Sequence, residues 1–163
     1  MRKVILPIHL IWMLGTILFA VSSCTQNYTY HQIHSFGESL EWRSSDTVEF
    51  VIPVNDNKAP YLFEMTFRCA SGFAYDKMLV RLEETAPDGK VIRRDVEIAV
   101  RNADGSFNGE KGFDIIDLTT TISPNQSYPV HGTYTYRVWQ TMGMDVVHFP
   151  MEVGLQLSRP DEQ

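Results

Sequence analysis

Apolar and polar residues alternate along most of the chain with a period of two. Val48, Phe50, Ile52 and Val54 alternate with Thr47, Glu49, Val51 and Pro53, and Tyr61, Phe63, Met65, Phe67 and Cys69 with Leu62, Glu64, Thr66 and Arg68. Met78, Val80 and Leu82 stand against Leu79, Arg81 and Glu83, and Val96, Ile98 and Val100 against Glu97, Ala99 and Arg101. Successive side chains of a strand face opposite ways, so each apolar series marks one buried face. Further strands are expected from Phe113 to Leu118, Gly132 to Met142 and Met151 to Ser158. No stretch of helical period reaches a useful length.

Turn residues punctuate these runs. Pro87-Asp88-Gly89 between two alternating segments is a hairpin signal. Ala103-Asp104-Gly105 ends the second of them with a glycine available for positive φ. Asn55-Asp56-Asn57 and Ser123-Pro124-Asn125 are read as loops. Seven or eight strands with frequent turns predict an all-β domain, an antiparallel β-sandwich.

The beginning of the chain breaks the pattern. Met1-Arg2-Lys3 precedes an apolar run from Val4 to Ala20, then Val21-Ser22-Ser23-Cys24. A positive head followed by an apolar stretch is a secretion signal. Its ending resembles a bacterial lipobox, an aliphatic residue three places before cysteine followed by two small residues. Cleavage before Cys24 would leave its thiol linked to diacylglycerol, and several acyl chains suffice for stable anchoring. The expected organisation is a signal peptide over 1–23, a lipidated polar tether over 24–39 and the sandwich over 40–163. A flexible tether of that length would reach about 20 Å. Thr25 follows the cysteine, and no acidic residue occurs before Glu38. This argues for the outer membrane, periplasmic face.

Composition narrows the function. The chain is 44% hydrophobic and 21% charged, which excludes disorder and places it with globular domains. Acidic residues number 20 against 14 basic, so the electrostatic footprint of a nucleic-acid partner is missing. Two cysteines, one of them Cys24, leave no pair for an internal disulfide. Cys69 falls on an apolar strand face and reads as a small buried hydrophobe.

Candidate chemistry is sparse. His31 and His34 are three apart but lack a third ligand nearby, and His131 and His148 flank the last long strands. Glu83-Glu84, Asp114 with Asp117, and Asp161-Glu162 are carboxylate pairs; Asp114 and Asp117 would face opposite sides of a strand. There is no nucleophile elbow, phosphate-cradling loop or zinc-protease motif. Arg81, Arg93, Arg94, Arg101 and Arg137 suit cross-strand ion pairs. Trp42, Trp139 and the tyrosines suit core packing, or else sugar stacking if exposed. The expected assignments are therefore no catalytic, metal or cofactor residue, and Cys24 as the lipid attachment site.

Two longer segments are more specific. Gly132-Thr133-Tyr134-Thr135-Tyr136-Arg137-Val138-Trp139-Gln140-Thr141-Met142 is followed by Met151-Glu152-Val153-Gly154-Leu155-Gln156-Leu157. The chain resembles the GldH gliding-motility lipoproteins of the Bacteroidetes in this glycine-tyrosine strand, its glutamine-x-methionine ending and the valine-glycine-leucine strand. Asn108-Gly109-Glu110-Lys111-Gly112-Phe113-Asp114 is similar to their glycine-rich approach to an isoleucine-rich strand. The chain departs from the pattern at Gly143 and at Phe107-Asn108-Gly109. The resemblance implies a non-catalytic accessory or structural part in gliding and type IX secretion, with an envelope protein complex as partner. A glycan-binding lipoprotein of a nutrient-uptake system is the alternative.

Overall fold

The computed structural model describes residues 28–58 and 60–159. In chain order the strands are β1 (Tyr28–Ser35), β2 (Glu41–Arg43), β3 (Val48–Val54), β4 (Tyr61–Ala70), β5 (Lys77–Thr85) and β6 (Val91–Ala99). They continue as β7 (Glu110–Lys111), β8 (Ile115–Gln126), β9 (Gly132–Gln140), β10 (Val146–His148) and β11 (Pro150–Ser158). A single 3₁₀ turn, Gly37–Ser39, separates β1 from β2. The strands form a five-stranded sheet, β1-β11-β4-β8-β7, a four-stranded sheet, β3-β9-β5-β6, and a small β10-β2 pair. All pairings are antiparallel. The architecture is the β-sandwich that alternation predicts, with eleven strands rather than seven or eight.

The extra strands have a physical explanation. β2, β7 and β10 are two or three residues long, too short to show a period. β1 is more consequential. The segment expected to be a tether over 24–39 is instead an edge strand from Tyr28, paired along β11 from Tyr28↔Ser158 to Ser35↔Glu152. His31, Gln32, Ile33, His34 and Ser35 are all exposed, so no alternation marks them. All but Ile33 are polar, and polar residues are one way sheet edges avoid pairing with other chains. The folded domain accordingly starts at Tyr28, not at residue 40. Cys24 and the expected signal peptide lie outside the described residues.

Two other expectations change. Ser123-Pro124-Asn125 is not a loop: β8 runs through it to Gln126, with irregular register opposite Tyr61, Phe63 and Glu64. Proline is tolerated within a sheet at such irregularities. Phe113 lies outside β8, in the turn between β7 and β8.

The core is the set of inward faces read from alternation. Phe63, Met65, Phe67 and Cys69 of β4 and Val153, Leu155 and Leu157 of β11 meet Phe50, Ile52, Tyr134, Tyr136, Val138, Val80 and Leu82 across the sandwich, all buried. Ring contacts lock this layer, with Phe63 5.1 Å from Tyr136 and Phe67 5.6 Å from Phe73. The Phe67–Phe73 pair is edge-on, a geometry that adds to simple area burial, and the Phe63–Tyr136 pair is tilted. The β5–β6 hairpin turns as expected: Gly89 has φ 84°, and Lys90 N–H donates to Asp88 Oδ1 at 3.0 Å.

One end of the core is polar. Glu84 is buried, and its Oε2 accepts from Tyr136 Oη at 3.0 Å and Gln126 Nε2 at 3.3 Å. Tyr128 Oη lies 3.0 Å from Tyr136 Oη, and the Arg94 guanidinium is 3.7 Å from Glu84 Oε2. Arg94 also donates to Gln126 Oε1 at 3.1 Å. A buried carboxylate is costly unless hydrogen-bonded and paired, and this one is both.

Two predictions follow from packing. A Cβ at Gly154 would lie 2.5 Å from Thr66 Oγ1 and 2.9 Å from the Gln32 carbonyl oxygen. Gly154→Ala should therefore force β1, β11 and β4 apart and cost about 1–3 kcal/mol, read as a lower urea midpoint. An unchanged midpoint would show that these strands yield freely. Burial raises the Tyr128 and Tyr136 hydroxyls well above the ordinary 10.0. A folded-state pKa above the unfolded one gives stability that is complete below pH 10 and is lost as pH rises past it. Tyrosinate absorbance should thus develop only with unfolding for these two side chains, while Tyr136→Phe with Tyr128→Phe should flatten the alkaline loss.

Candidate functional site

Strand directions define two poles. β1 begins, β11 ends, and the loops 55–60, 86–90 and 127–131 all sit at one end of the sandwich. Tyr28 follows Cys24 by four positions, a separation the extended chain spans in at most about 14 Å. Call this the proximal end. The distal end carries the 3₁₀ turn, the β10-β2 pair and the turns at 71–76, 100–109 and 112–114.

The proximal end holds a cleft of about 360 Å³ above the Glu84 network. Lys90, Arg94, Asn125, Gln126, Ser127 and Tyr134 contribute to its walls. Some of its polar groups serve one another: Tyr134 Oη donates to the Val130 carbonyl at 3.0 Å and Arg94 is engaged by Gln126. Nearby, Arg159 pairs with Asp56 at 2.7 Å and stacks over the Tyr61 ring at 3.8 Å. Asp56 is held below the ordinary carboxylate range, first by the Lys58 backbone N–H and then by Arg159. These contacts tie residue 159, at the end of β11, to the loop after β3.

A second depression of about 320 Å³ crosses the outer face of the five-stranded sheet. Thr66, which faces Gly154 in register, lies in its lining. One wall is an ion-pair row, in which Arg68 binds Asp117 at 2.6 Å and Glu152 at 3.0 Å. The Asp117 hydrogen bond is the main reason the Arg68 guanidinium holds its proton more tightly than usual. The other wall includes Gln156, which donates to Glu64 Oε2 at 2.9 Å. The groove offers hydrogen bonds and charge, and His31, Thr66 and Thr119 are among the residues that line it.

Other sequence candidates fall apart in space. His31 and His34 are on a strand, where a spacing of three points them to opposite sides. His131 is exposed, and His148 Nδ1 is 3.8 Å from Glu41 Oε1. Among the described residues no three His, Cys, Asp or Glu side chains gather to hold a metal. Asp114 bonds Ser71 while Asp117 bonds Arg68, so these two carboxylates do not share a site. Glu83 lies on the outer face against Arg93 and Arg137, whereas Glu84 points into the core network. Asp161 and Glu162 lie outside the described residues.

The arginines largely follow the expected ion pairing. Arg81 pairs with Asp95 at 2.7 Å and Arg137 with Glu49 at 3.0 Å, across strands of the four-stranded sheet. Arg101 instead lies over the Phe107 ring at 4.0 Å and donates to the Phe73 carbonyl. Cys69 is fully buried, and burial pushes its thiol up to about 11, the setting of an inert core residue. Trp42 is also fully buried, against Phe36, and Trp139 is half-buried opposite Arg81. No sugar-stacking cleft is formed by these two tryptophans.

Sequence reasoning missed the distal end. Phe113, expected inside a strand, is 96% exposed in the β7–β8 turn. Phe149, unassigned in the sequence, is also exposed and has a left-handed φ of 70°. The available signal was local: Phe113 is one apolar residue between Gly112 and Asp114, both turn formers.

Three solved structures show the extent of likeness to known folds. The Yersinia pseudotuberculosis-derived mitogen aligns at 7% identity over 82% of this chain and 89% of its own, with a TM-score of 0.34. Dimeric latent PorU from Porphyromonas gingivalis aligns at 10% identity over 83% of this chain but only 13% of its own, with a TM-score of 0.36. TmCBM61, solved in complex with β-1,4-galactotriose, aligns at 8% identity over 82% of this chain and 91% of its own, with a TM-score of 0.32. Scores of this size carry no functional argument. No curated protein matches the sequence. The family comparison is decisive where these are not: the family described as GldH lipoprotein matches residues 28–157, from the first residue of β1 almost to the end of β11. The chain belongs to the GldH lipoprotein family.

Proposed function

We propose that the protein is a lipid-anchored, non-catalytic accessory component of the gliding-motility and type IX secretion machinery, or of a related envelope function. Family membership over the whole described domain is the observation that carries this reading. The anchor would be diacylglycerol and acyl chains on Cys24, at the periplasmic face of the outer membrane. The protein would contact the membrane through that lipid, and an envelope protein complex through its own surface.

The fold supports this reading through spacing. With β1 beginning at Tyr28, only Thr25, Gln26 and Asn27 separate the acceptor cysteine from a paired strand. The domain would be held against the bilayer by its proximal end rather than ranging on a long leash. Loss of residues 1–23 takes Arg2 and Lys3 with it and leaves an acidic body. Such a body gains nothing from anionic lipid, so the acyl chains must supply the attachment. The same acidity speaks against a nucleic-acid partner. Glycan capture is the weaker reading, because Trp42 has no exposed surface to offer a sugar.

Cys24→Ala tests the anchor. The residue precedes β1, so the variant should keep the thermal midpoint of the mature domain while moving from the membrane fraction to the soluble fraction. Retention in the membrane fraction as complete as wild type would defeat the lipoprotein reading. Cross-linking of the tagged protein in cells then addresses the machinery. Gliding or type IX secretion components should be recovered with wild type and lost with Cys24→Ala. Recovery of polysaccharide-uptake proteins instead would favour the glycan role.

A further inference from the structure

We propose that the distal end of the sandwich is a protein-docking surface, in which Phe113 enters an apolar pocket of an envelope partner whose rim is basic. The direction this surface faces rests on the anchoring reading above. The other exposed large apolar side chains, Ile33, Val51, Val91 and Phe149, show between 44% and 47% of their surface, whereas Phe113 shows 96%. Folding gains nothing from a ring in that position, since its burial is what would stabilise the chain. Aromatic side chains entering a partner's pocket are the usual dominant contributors to protein interfaces.

The ring is presented by a fixed support. Gly112 N–H donates to the Ile115 carbonyl at 2.8 Å, closing the turn beneath Phe113. On the other side, the Asp114 carbonyl accepts from Ser71 N–H at 2.9 Å and its Oδ1 from Ser71 Oγ at 3.2 Å. The strand before the turn is pressed onto β8: a Cβ at Gly109 would lie 2.1 Å from the Asp117 carbonyl oxygen, so only glycine fits. A backbone ordered in advance has little freedom left to lose on association.

A second ring joins the same surface through the same loop. Gly72, the residue after Ser71, lies beneath Phe149, whose ring atoms come within 3.6 Å of where its Cβ would be. Phe149 keeps its left-handed backbone because its N–H donates to the Leu40 carbonyl at 2.7 Å and its carbonyl accepts from Ala70 N–H at 3.0 Å. Ser71-Gly72 thus carries one exposed ring on each side. Strain held in place by surrounding hydrogen bonds is found where a side chain must be aimed.

Charge and geometry choose the occupant. Glu110 and Asp114 precede and follow Phe113 in the exposed turn region, Glu110 also lining the outer-face groove, and neither pairs with a cation among the described residues. Lys111 is the one basic residue of the turn; neighbouring distal segments carry Asp76, Asp104 and Asp145, while their cations are engaged elsewhere, Arg43 with Glu41, Lys77 with Glu97 and Arg101 with the Phe107 ring and the Phe73 carbonyl. This rim is complementary to a basic partner and repelled by anionic lipid. The bilayer that would hold Cys24 is at the other pole. β4 alone, ten residues from Tyr61 to Ala70, separates the poles by about 33 Å. Two copies anchored in one leaflet would stand side by side with like-charged distal ends, which disfavours a second copy.

The test uses the full-length protein in its host with a benzoylphenylalanine photo-cross-linker at position 113, and at position 91 as a proximal control. Position 113 should give one discrete adduct with an envelope protein, and position 91 should not. The identified partner, purified, should bind Phe113→Ser at least about tenfold more weakly than wild type. Phe113→Leu should recover part of that loss, and Glu110→Lys should weaken binding and flatten its salt dependence. An adduct of twice the chain mass, an adduct with lipid, no discrete adduct, or equal partner binding by Phe113→Ser would overturn the proposal. Phe113→Ser should remain in the membrane fraction with an unchanged thermal midpoint. Failure of docking therefore reads differently from failure of anchoring, which Cys24→Ala reports alone.

Discussion

The pairing of β1 with β11 is the constraint on which the rest of the structure depends. It joins the first described strand to the last, brings both to the proximal end, and places the edge of the five-stranded sheet against solvent. The pairing is possible because residue 154 has no side chain. Gln32 and Ile33 of β1 and Thr66 of β4 approach the Gly154 backbone from both sides, within distances that any Cβ would violate. The family's valine-glycine-leucine strand thus has a mechanical reading. Its valine and leucine face the core, and its glycine lets two neighbouring strands close over the outer face.

The sandwich separates its polar groups by function. Outer-face charges on the four-stranded sheet pair across strands, as Arg81 with Asp95 and Arg137 with Glu49, in exposed positions where each pair contributes little. The Arg81 hydrogen bond still holds the Asp95 carboxyl below its usual range. Glu84 is different. It lies inside, among Tyr136, Tyr128 and Gln126, with Arg94 closing the network from the solvent side. An apolar residue could fill that volume without a desolvation cost. What the network supplies is register, since Glu84, Gln126 and Tyr136 come from three strands in two sheets and satisfy one another in a single arrangement.

The legible parts of the fold were those in which burial leaves a periodic trace. β3 and β4 alternate from end to end, and their inward residues were readable one by one. β1 left no such trace because residues 31–35 are exposed on both faces, so polar residues and Ile33 follow one another without alternation. Its partner is more than a hundred residues away, a distance that local pattern cannot bridge. Pro124 misled in the same way: proline reads as a break, yet β8 absorbs it at an irregularity of register. Of the proposed functional positions, Cys24 is read from a short lipobox-like motif alone and lies outside the described residues. The distal surface was not legible, because Ser71, Phe113 and Phe149 are brought together by topology alone.

The two poles follow from one another. If Cys24 carries the proposed anchor, a strand that starts at Tyr28 commits its own end of the sandwich to that attachment, and leaves the opposite end as the part furthest from it. β-strands transmit this commitment rigidly, since every long strand runs from one pole to the other. A flexible tether would have let any face meet the membrane or a partner, and no surface would then have a reason to be specialised. With a short connection the faces are unequal. The proximal cleft has the Glu84, Gln126, Arg94 and Tyr134 bonds in its walls, while the distal end leaves a ring in water with Glu110 and Asp114 in no ion pair among the described residues. Under the proposed anchoring, an acidic, aromatic-tipped surface would be held away from the bilayer, with its exposed apolar area open to a matching protein. The same edge strand that hid the domain boundary from the sequence is therefore what gives the molecule a direction.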